Sequence, residues 1–459
     1  MTPPSRTASI DIDHRTLRWL LFCYLIFIVY ASFIPFHLNL DPNFVRWRID
    51  IFFSTSLFRG IHRWSGTDVA TNLLVYFPLG VLLTGSWPPK DGSIHSPTMP
   101  LIAGVAGLLA GLAIELGQTL SPYRSPSMLD AICNGLGAFL GAALGYRLLP
   151  ALNGALGTRI ERWIREQPIL LLIVFVSLAP IIDAIYPFDF KLTVGFFADN
   201  LAMGWLTLFQ NGLPTLDLLV EKLFSFAAFG YLIAAQRASW KLPASAPKVL
   251  ALSAALALAV EAAKLTVASR TFNADNLLFA LIGAVAGVAL ERRAPYRNLS
   301  SPRSLFILTV LAIALLGYFQ MEPFDWIARH ELRWKLRQIE WLPFAAYYWS
   351  DPRAALFDLL KKLYLSIPIG LLISASMAPR YHRTRIRTVA VVAMIGVVFE
   401  ACQIVIRSRT PAVTDVLVIT IGAWVGAFAG DLYRSAKALN NPTAQTLSTA
   451  NVDRRLAGH

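Results

Sequence analysis

Residues 107–145 read GLLAGLAIELGQTLSPYRSPSMLDAICNGLGAFLGAALG. One apolar run closes on Glu115 and Gln118, and a short turn rich in Ser and Pro carries Arg124. A second run opens on Asp130 and Asn134, then becomes a ladder of Gly137, Gly141 and Gly145. Neither run alternates with the period of two expected of a half-buried strand. Small residues at every fourth position suit helices that approach closely in lipid. The stretch therefore predicts a membrane-embedded helical hairpin whose polar residues gather at its turn.

Working outward, twelve apolar segments follow the same logic: 17–34, 68–86, 100–118, 128–149, 168–186, 216–235, 248–266, 275–291, 304–320, 356–376, 388–406 and 412–432. Each approaches the roughly 20 residues that carry a helix across a ~30 Å hydrocarbon core. Helices satisfy their own backbone hydrogen bonds there. Composition agrees, with 56% hydrophobic and only 15% charged residues and a mean hydropathy of +0.54, against about a quarter charged in soluble domains. The expected fold is an all-α integral membrane protein of about twelve transmembrane helices. The first run shows no small-residue cleavage site and reads as a signal anchor. Residues 438–459 read as a polar, disordered cytoplasmic tail.

The 41 Lys and Arg against 28 Asp and Glu leave +13. In a membrane protein this points to loop topology before nucleic acid. Short basic connections such as Arg159-Arg162-Arg165, Arg292-Arg293-Arg297 and Arg380-Arg383-Arg385-Arg387 fall on one side if the N-terminus is inside. Both termini are thus expected in the cytoplasm, with the protein in the bacterial inner membrane. Two longer outer loops, about 37–66 and 325–355, interleave cations with aromatics: Arg46, Trp47 and Arg48 in one, Arg333, Trp334 and Lys335 in the other. They read first as interfacial helices and second as a lid for anionic headgroups or pyrophosphate.

The catalytic signatures that sequence can reveal are missing. No HExxH, GxxxxGK[ST] or GxSxG occurs, and all seven histidines lie outside the apolar runs. Cys23, Cys133 and Cys402 lie inside those runs and read as small core residues. No cofactor, metal site or disulfide framework is indicated.

The chain repeats itself. Pro35-Phe36, Pro187-Phe188 and Pro323-Phe324 end the first helix of each expected unit. The second helix carries Asp68, Asn72, Pro78 and Gly80, and again Asp358, Lys362, Pro368 and Gly370; the middle copy is degenerate, with Leu218, Lys222, Ala228 and Gly230. Glu115 and Arg124, Glu261 and Arg270, and Glu400 and Arg409 share one spacing; Gln118 and Gln403 follow their glutamates, with Lys264 between them in order. Asp130, Asp275 and Asp415 open the fourth helices. The expected domains are repeats at 1–150, 151–300 and 301–437.

In this order, Tyr30, Pro35, Phe36, Asp68, Asn72, Pro78, Gly80, Glu115, Gln118, Arg124, Asp130, Asn134 and Gly137 resemble the VanZ-like family. The third copy departs at Lys362 and Ile419; the second keeps only Glu261, Arg270, Asp275 and glycines. The resemblance implies a multipass bacterial membrane protein and a link to teicoplanin resistance, the association of the name-giving member. It supplies no molecular mechanism.

The spacing places Asp68 with Asn72, Glu115 with Gln118 and Asp130 with Asn134 on shared helix faces, all at the outer helix ends. Asp68, Glu115, Arg124 and Asp130 are the catalytic candidates. Asn72, Gln118, Asn134, Asp358, Lys362, Glu400, Gln403, Arg409, Asp415, Glu261, Arg270 and Asp275 are the binding candidates. A Glu115–Arg124 pair would ease the burial of both charges. Ionisable groups at membrane depth suggest function, yet helix-opening acids also serve as caps. Three readings stay open: action on, or binding of, a lipid-linked or cell-wall component at the outer leaflet, with membrane lipids as partners; a transporter or flippase with three parallel repeats; and a scaffold.

Overall fold

The computed structural model describes residues 14–54, 66–87, 97–153, 158–159, 162–163, 166–206, 216–242, 245–296, 301–377 and 381–439. Within them the fold is helical, and only isolated β-bridges occur. The expected tail at 438–459 lies almost wholly outside the described residues, as do parts of the first outer loop and of the basic connections.

The chain divides into two compact bodies, Met1–Arg162 and Trp163–His459. The N-terminal body holds α1 (His14–Phe33), α2 (Pro42–Ser54), α3 (Gly66–Ser86), α4 (Met99–Gln118) and α5 (Met128–Asn153). Helices α1, α3, α4 and α5 pack as a four-helix group. Its core includes Leu21, Ile28, Tyr76, Leu79, Ile114 and Ala138.

The C-terminal body holds two such groups. The first consists of α6 (Pro168–Ile185), α8 (Leu216–Ser239), α9 (Ala246–Lys264) and α10 (Asp275–Arg293), with α7 (Val194–Leu206) between α6 and α8. The second consists of α11 (Pro302–Met321), α14 (Pro352–Ser376), α15 (Tyr381–Gln403) and α16 (Val413–Leu439), with short α12 (Leu332–Leu336) and α13 (Ala345–Trp349) before α14. Phe175 stacks on Tyr364 at 4.6 Å and Tyr186 on Phe357 at 4.2 Å, joining the two groups.

Every apolar segment marked in the sequence coincides with a helix. Among the described residues nine helices are long and apolar enough to cross a membrane. The three others, α8, α10 and α14, carry the charges that the sequence placed there, among them Lys222, Asp275, Asp358 and Lys362. Large apolar side chains stay exposed around the groups, for example Phe22, Leu101, Leu109, Val397 and Ile421. Contiguous apolar surface of this extent needs a covering medium, and lipid contact suits it. Cys23 and Cys402 also lie exposed on helix faces, and only Cys133 is a core residue.

Glycine sets the closest approaches. A methyl group added at Gly80 would overlap the Ala138 carbonyl, and one at Gly141 would overlap the Phe77 carbonyl. Gly370 faces Ala423, and Gly426 faces Ile367, in the same manner. Close packing of backbones is what holds helices together where lipid is as apolar as the side chains.

Of the two basic-aromatic loops, the first contains an ordinary helix, α2. The second breaks into a 3-10 turn at Arg329–Glu331 followed by α12 and α13. The helix α7 occupies the corresponding loop of the middle group, where the sequence reading placed none.

Candidate polar clusters at the helix ends

Each four-helix group gathers polar side chains where its third helix ends and its fourth begins. Glu115, near the end of α4, is buried, and its Oε2 accepts the Ser127 amide at 2.8 Å. Glu261 accepts the Asn273 amide at 2.9 Å, and Glu400 the Ala412 amide at 2.7 Å. Amides just ahead of a helix lack an intrahelical partner and favour a negative charge, so the carboxylate anchors the start of α5, α10 or α16.

The arginines turn elsewhere. Arg124 donates from Nε to the Ile34 carbonyl at 3.2 Å and from Nη2 to the Ala31 carbonyl at 3.0 Å. Arg270 does the same to Tyr186 at 2.7 Å and Asp183 at 3.0 Å, and Arg409 to Glu322 at 2.6 Å and Phe319 at 3.0 Å. These carbonyls end α1, α6 and α11 and have no further helical turn to accept from. The Glu115–Arg124 pair expected from the sequence thus gives way to a division of labour: the acid takes an amide, the arginine two carbonyls. Each acceptor pair immediately precedes a cis proline, Pro35, Pro187 or Pro323. The phenylalanine that follows has φ of 62°, 65° or 62°.

A side chain from the loop helices clamps the same turn. Arg48 of α2 donates to the carbonyls of Ser121, at 3.3 Å, and Arg124. Asn200 of α7 donates to Arg270 at 2.9 Å and accepts from the Phe272 amide at 2.8 Å. Lys335 of α12 is buried and donates to Arg407 at 2.8 Å. Burial pushes the Lys335 ammonium below its ordinary value, against a smaller opposing pull from Asp325. Arg48 and Lys335 therefore serve the backbone of the turn between the third and fourth helices, so the lid reading loses two of its cations.

The clusters differ in their centres. In the third, the Lys362 ammonium lies 2.5 Å from Asp358 and 2.6 Å from Asp415. The Tyr347 hydroxyl donates to Asp358 at 2.7 Å. Burial first, and the nearby Asp358 charge second, push that hydroxyl far above its ordinary range, so it stays a donor. Gln320 and Gln403 approach Glu400 Oε1 at 3.5 and 3.4 Å.

In the second cluster Lys264 pairs with Glu261 at 2.6 Å, Asn276 donates to Glu261 at 2.7 Å, and Lys222 bonds Asn276 Oδ1. Arg270 also pairs with Asp183 at 3.1 Å. Lys222, Glu261, Lys264 and Asn276 line a cavity of about 30 Å³, room for about one water molecule.

The first cluster has Asn72 where the others have these lysines. Gln118 donates to the Ser32 carbonyl at 2.9 Å, tying α4 to α1. Asn134 and Tyr76 are buried, each 3% exposed, and among the described residues neither Asn134 Oδ1 nor the Tyr76 hydroxyl has a hydrogen-bond partner. Asp130 opens α5; Asp68 lies in the first turn of α3, its side chain outside the described residues.

One register differs from expectation. Asp130 and Asp415 each stand fifteen residues after their glutamate, whereas Asp275 stands fourteen after Glu261. The residue at fifteen is Asn276, and it receives the Lys222 ammonium as Asp415 receives that of Lys362. Asn276, not Asp275, therefore holds the equivalent position; Asp275 sits one residue earlier, its amide bonded to Asn273 at 3.0 Å. The glycine ladder carried the signal: Gly137, Gly283 and Gly422 each stand seven residues past Asp130, Asn276 and Asp415. Tyr76, Asn200, Gln320 and Tyr347 were not singled out in the sequence, because none of them recurs at the matching position of the other groups.

The VanZ/LLP1 family model matches residues 19–149 and 305–434, more than half of the chain. The chain belongs to the VanZ/LLP1 family. No curated protein and no solved structure matches it. The two VanZ/LLP1 regions contain the first and third clusters in full, and the second cluster lies between them.

Proposed function

We infer that this VanZ/LLP1 protein is a twelve-span inner-membrane protein of three tandem repeats, 1–150, 151–300 and 301–437, with both termini in the cytoplasm. The arginine, glutamate and clamp contacts that recur in all three groups support the repetition. The first repeat binds or acts on a polar, lipid-linked or cell-wall component at the outer leaflet; the second and third serve chiefly as structural copies. The observation that carries this reading is the pair of buried polar atoms without partners among the described residues, Tyr76 Oη and Asn134 Oδ1, in the cluster of Glu115. An unsatisfied buried polar group costs about 1–3 kcal/mol, and a ligand that bonds to it removes the cost. In the other clusters the equivalent positions hold Phe226 and Ala280, or Ser366 and Ile419. Ser366 already bonds the Lys362 carbonyl at 2.8 Å.

The test is alanine substitution of Glu115, Asp130 and Asn134, each paired with substitution of the third-repeat counterpart. Envelope lipid profile and glycopeptide susceptibility are the readouts. First-repeat variants that are correctly inserted should change one of them, and third-repeat variants should act only through protein level. Wild-type behaviour of all first-repeat variants would overturn the reading.

A further inference from the structure

We propose that the first cluster binds a primary ammonium group of its ligand, at the place that the Lys362 and Lys222 ammonium groups take in the other two clusters. The proposal deepens the binding reading above and rests on it.

Asn72, Lys222 and Lys362 occupy one position. Each stands eight residues before a glycine, Gly80, Gly230 or Gly370, whose α-carbon faces the fourth helix at Ala138, Ala284 or Ala423. From that position Lys362 bridges Asp358 and Asp415, and Lys222 reaches Asn276, which bonds Glu261. Two of the three clusters thus place an ammonium between the second and fourth helices, beside the buried glutamate.

The first cluster keeps the acids and loses the cation. Asp68, Glu115, Asp130 and Arg124 stand in register with Asp358, Glu400, Asp415 and Arg409, but Asn72 replaces Lys362. The result is one positive charge fewer for the same acids and the same arginine. Positive charge stabilises a buried carboxylate, and the asparagine side chain is two atoms shorter than that of lysine.

A second observation points to a ligand. One helical turn deeper than Asn72 and Asp130 lie Tyr76 and Asn134, both buried and both with an unpartnered oxygen. Tyr76 stands within the field of the Glu115 charge. Phenol and amide oxygens accept hydrogen bonds, and an ammonium has three to donate. An organic ammonium fits a position that lysine fills elsewhere in the same chain. Its source is either an aminoethyl headgroup of a lipid or a soluble amine.

The experiment uses the full chain in detergent and follows thermal unfolding with short-chain phosphatidylethanolamine, short-chain phosphatidylglycerol and free ethanolamine. The wild type should be stabilised by phosphatidylethanolamine and not by phosphatidylglycerol; stabilisation by ethanolamine alone would assign a soluble amine. Asn72→Lys supplies the cation internally, so this variant should unfold at a higher temperature and lose the response. Tyr76→Phe removes one acceptor and should weaken the response about tenfold, the loss of one hydrogen bond to a charged group. An equal response to phosphatidylglycerol, no response to any amine, or an undiminished response in both variants would overturn the proposal. If the alanine panel still alters the envelope while no amine stabilises the wild type, the ammonium is refuted and the binding reading stands; if neither effect is seen, both fall.

Discussion

Arg409 bonds carbonyls 87 and 90 residues back along the chain, and Arg124 and Arg270 do the same at 90 to 93 and 84 to 87. Each holds the end of a first helix against the turn between the third and fourth. A guanidinium presents two donors in fixed geometry, which an ammonium does not. Arg409→Lys should therefore keep only part of the stability that Arg409→Ala loses. With hydrogen bonds to a charged group worth about 1.5–3 kcal/mol each, the alanine variant should lose about 2–4 kcal/mol after solvent and relaxation are counted. Thermal unfolding of both variants checks this, and a lysine variant as stable as wild type would show that the fork is not needed. The type and spacing of these arginines were legible in the sequence. Their partners were not, since nothing in a nine-residue interval tells whether Arg124 turns to Glu115 or to a helix end far back in the chain.

At the scale of elements, the second and fourth helices of each group meet backbone to backbone through glycine. At Gly141 an added methyl meets the Phe77 carbonyl, a rigid neighbour that cannot rotate away. Gly141→Ala should destabilise the N-terminal body by about 1–3 kcal/mol, the usual cost of overpacking. Gly195→Ala, where an added methyl meets open space, is the control and should be neutral within about 0.5 kcal/mol. Retention of the monodisperse peak after graded heating measures both. The ladder was readable as close helix packing from its four-residue interval alone. The same ladder aligns Asn276 with Asp130 and Asp415, a register that the Lys222 contact with Asn276 fixes in the folded chain. The short breaks in 325–355 and the helix α7 escaped the reading because loop helices are held by contacts such as Lys335 to Arg407 and Asn200 to Arg270, not by an apolar period of their own.

For the whole molecule, nine of the described helices meet the length and hydropathy of a membrane span, and α8, α10 and α14, which carry charged residues, do not. The proposed twelve-span arrangement places Asp41 and Trp326 outside the cell and Lys241 inside. In a background without the three native cysteines, cysteines at positions 41 and 326 should react with an impermeant maleimide in intact cells. One at position 241 should react only after permeabilisation. Labelling of all three from outside would overturn the topology.

The opening stretch, 107–145, shows where sequence ends and tertiary structure begins. Its apolar lengths and four-residue glycine interval determined two helices in lipid, because hydrogen-bond satisfaction and close packing are local demands that a run of residues meets or fails by itself. Its polar residues determined that a cluster would form at the turn. Which group each would touch was decided only by folding: Glu115 on the Ser127 amide, Arg124 on the end of α1, Gln118 on Ser32, and Asn134 with an oxygen left unpartnered. Apart from the first, those outcomes depend on helices brought together from distant parts of the chain. Only there does one asparagine in place of a lysine become a difference in charge at a buried site.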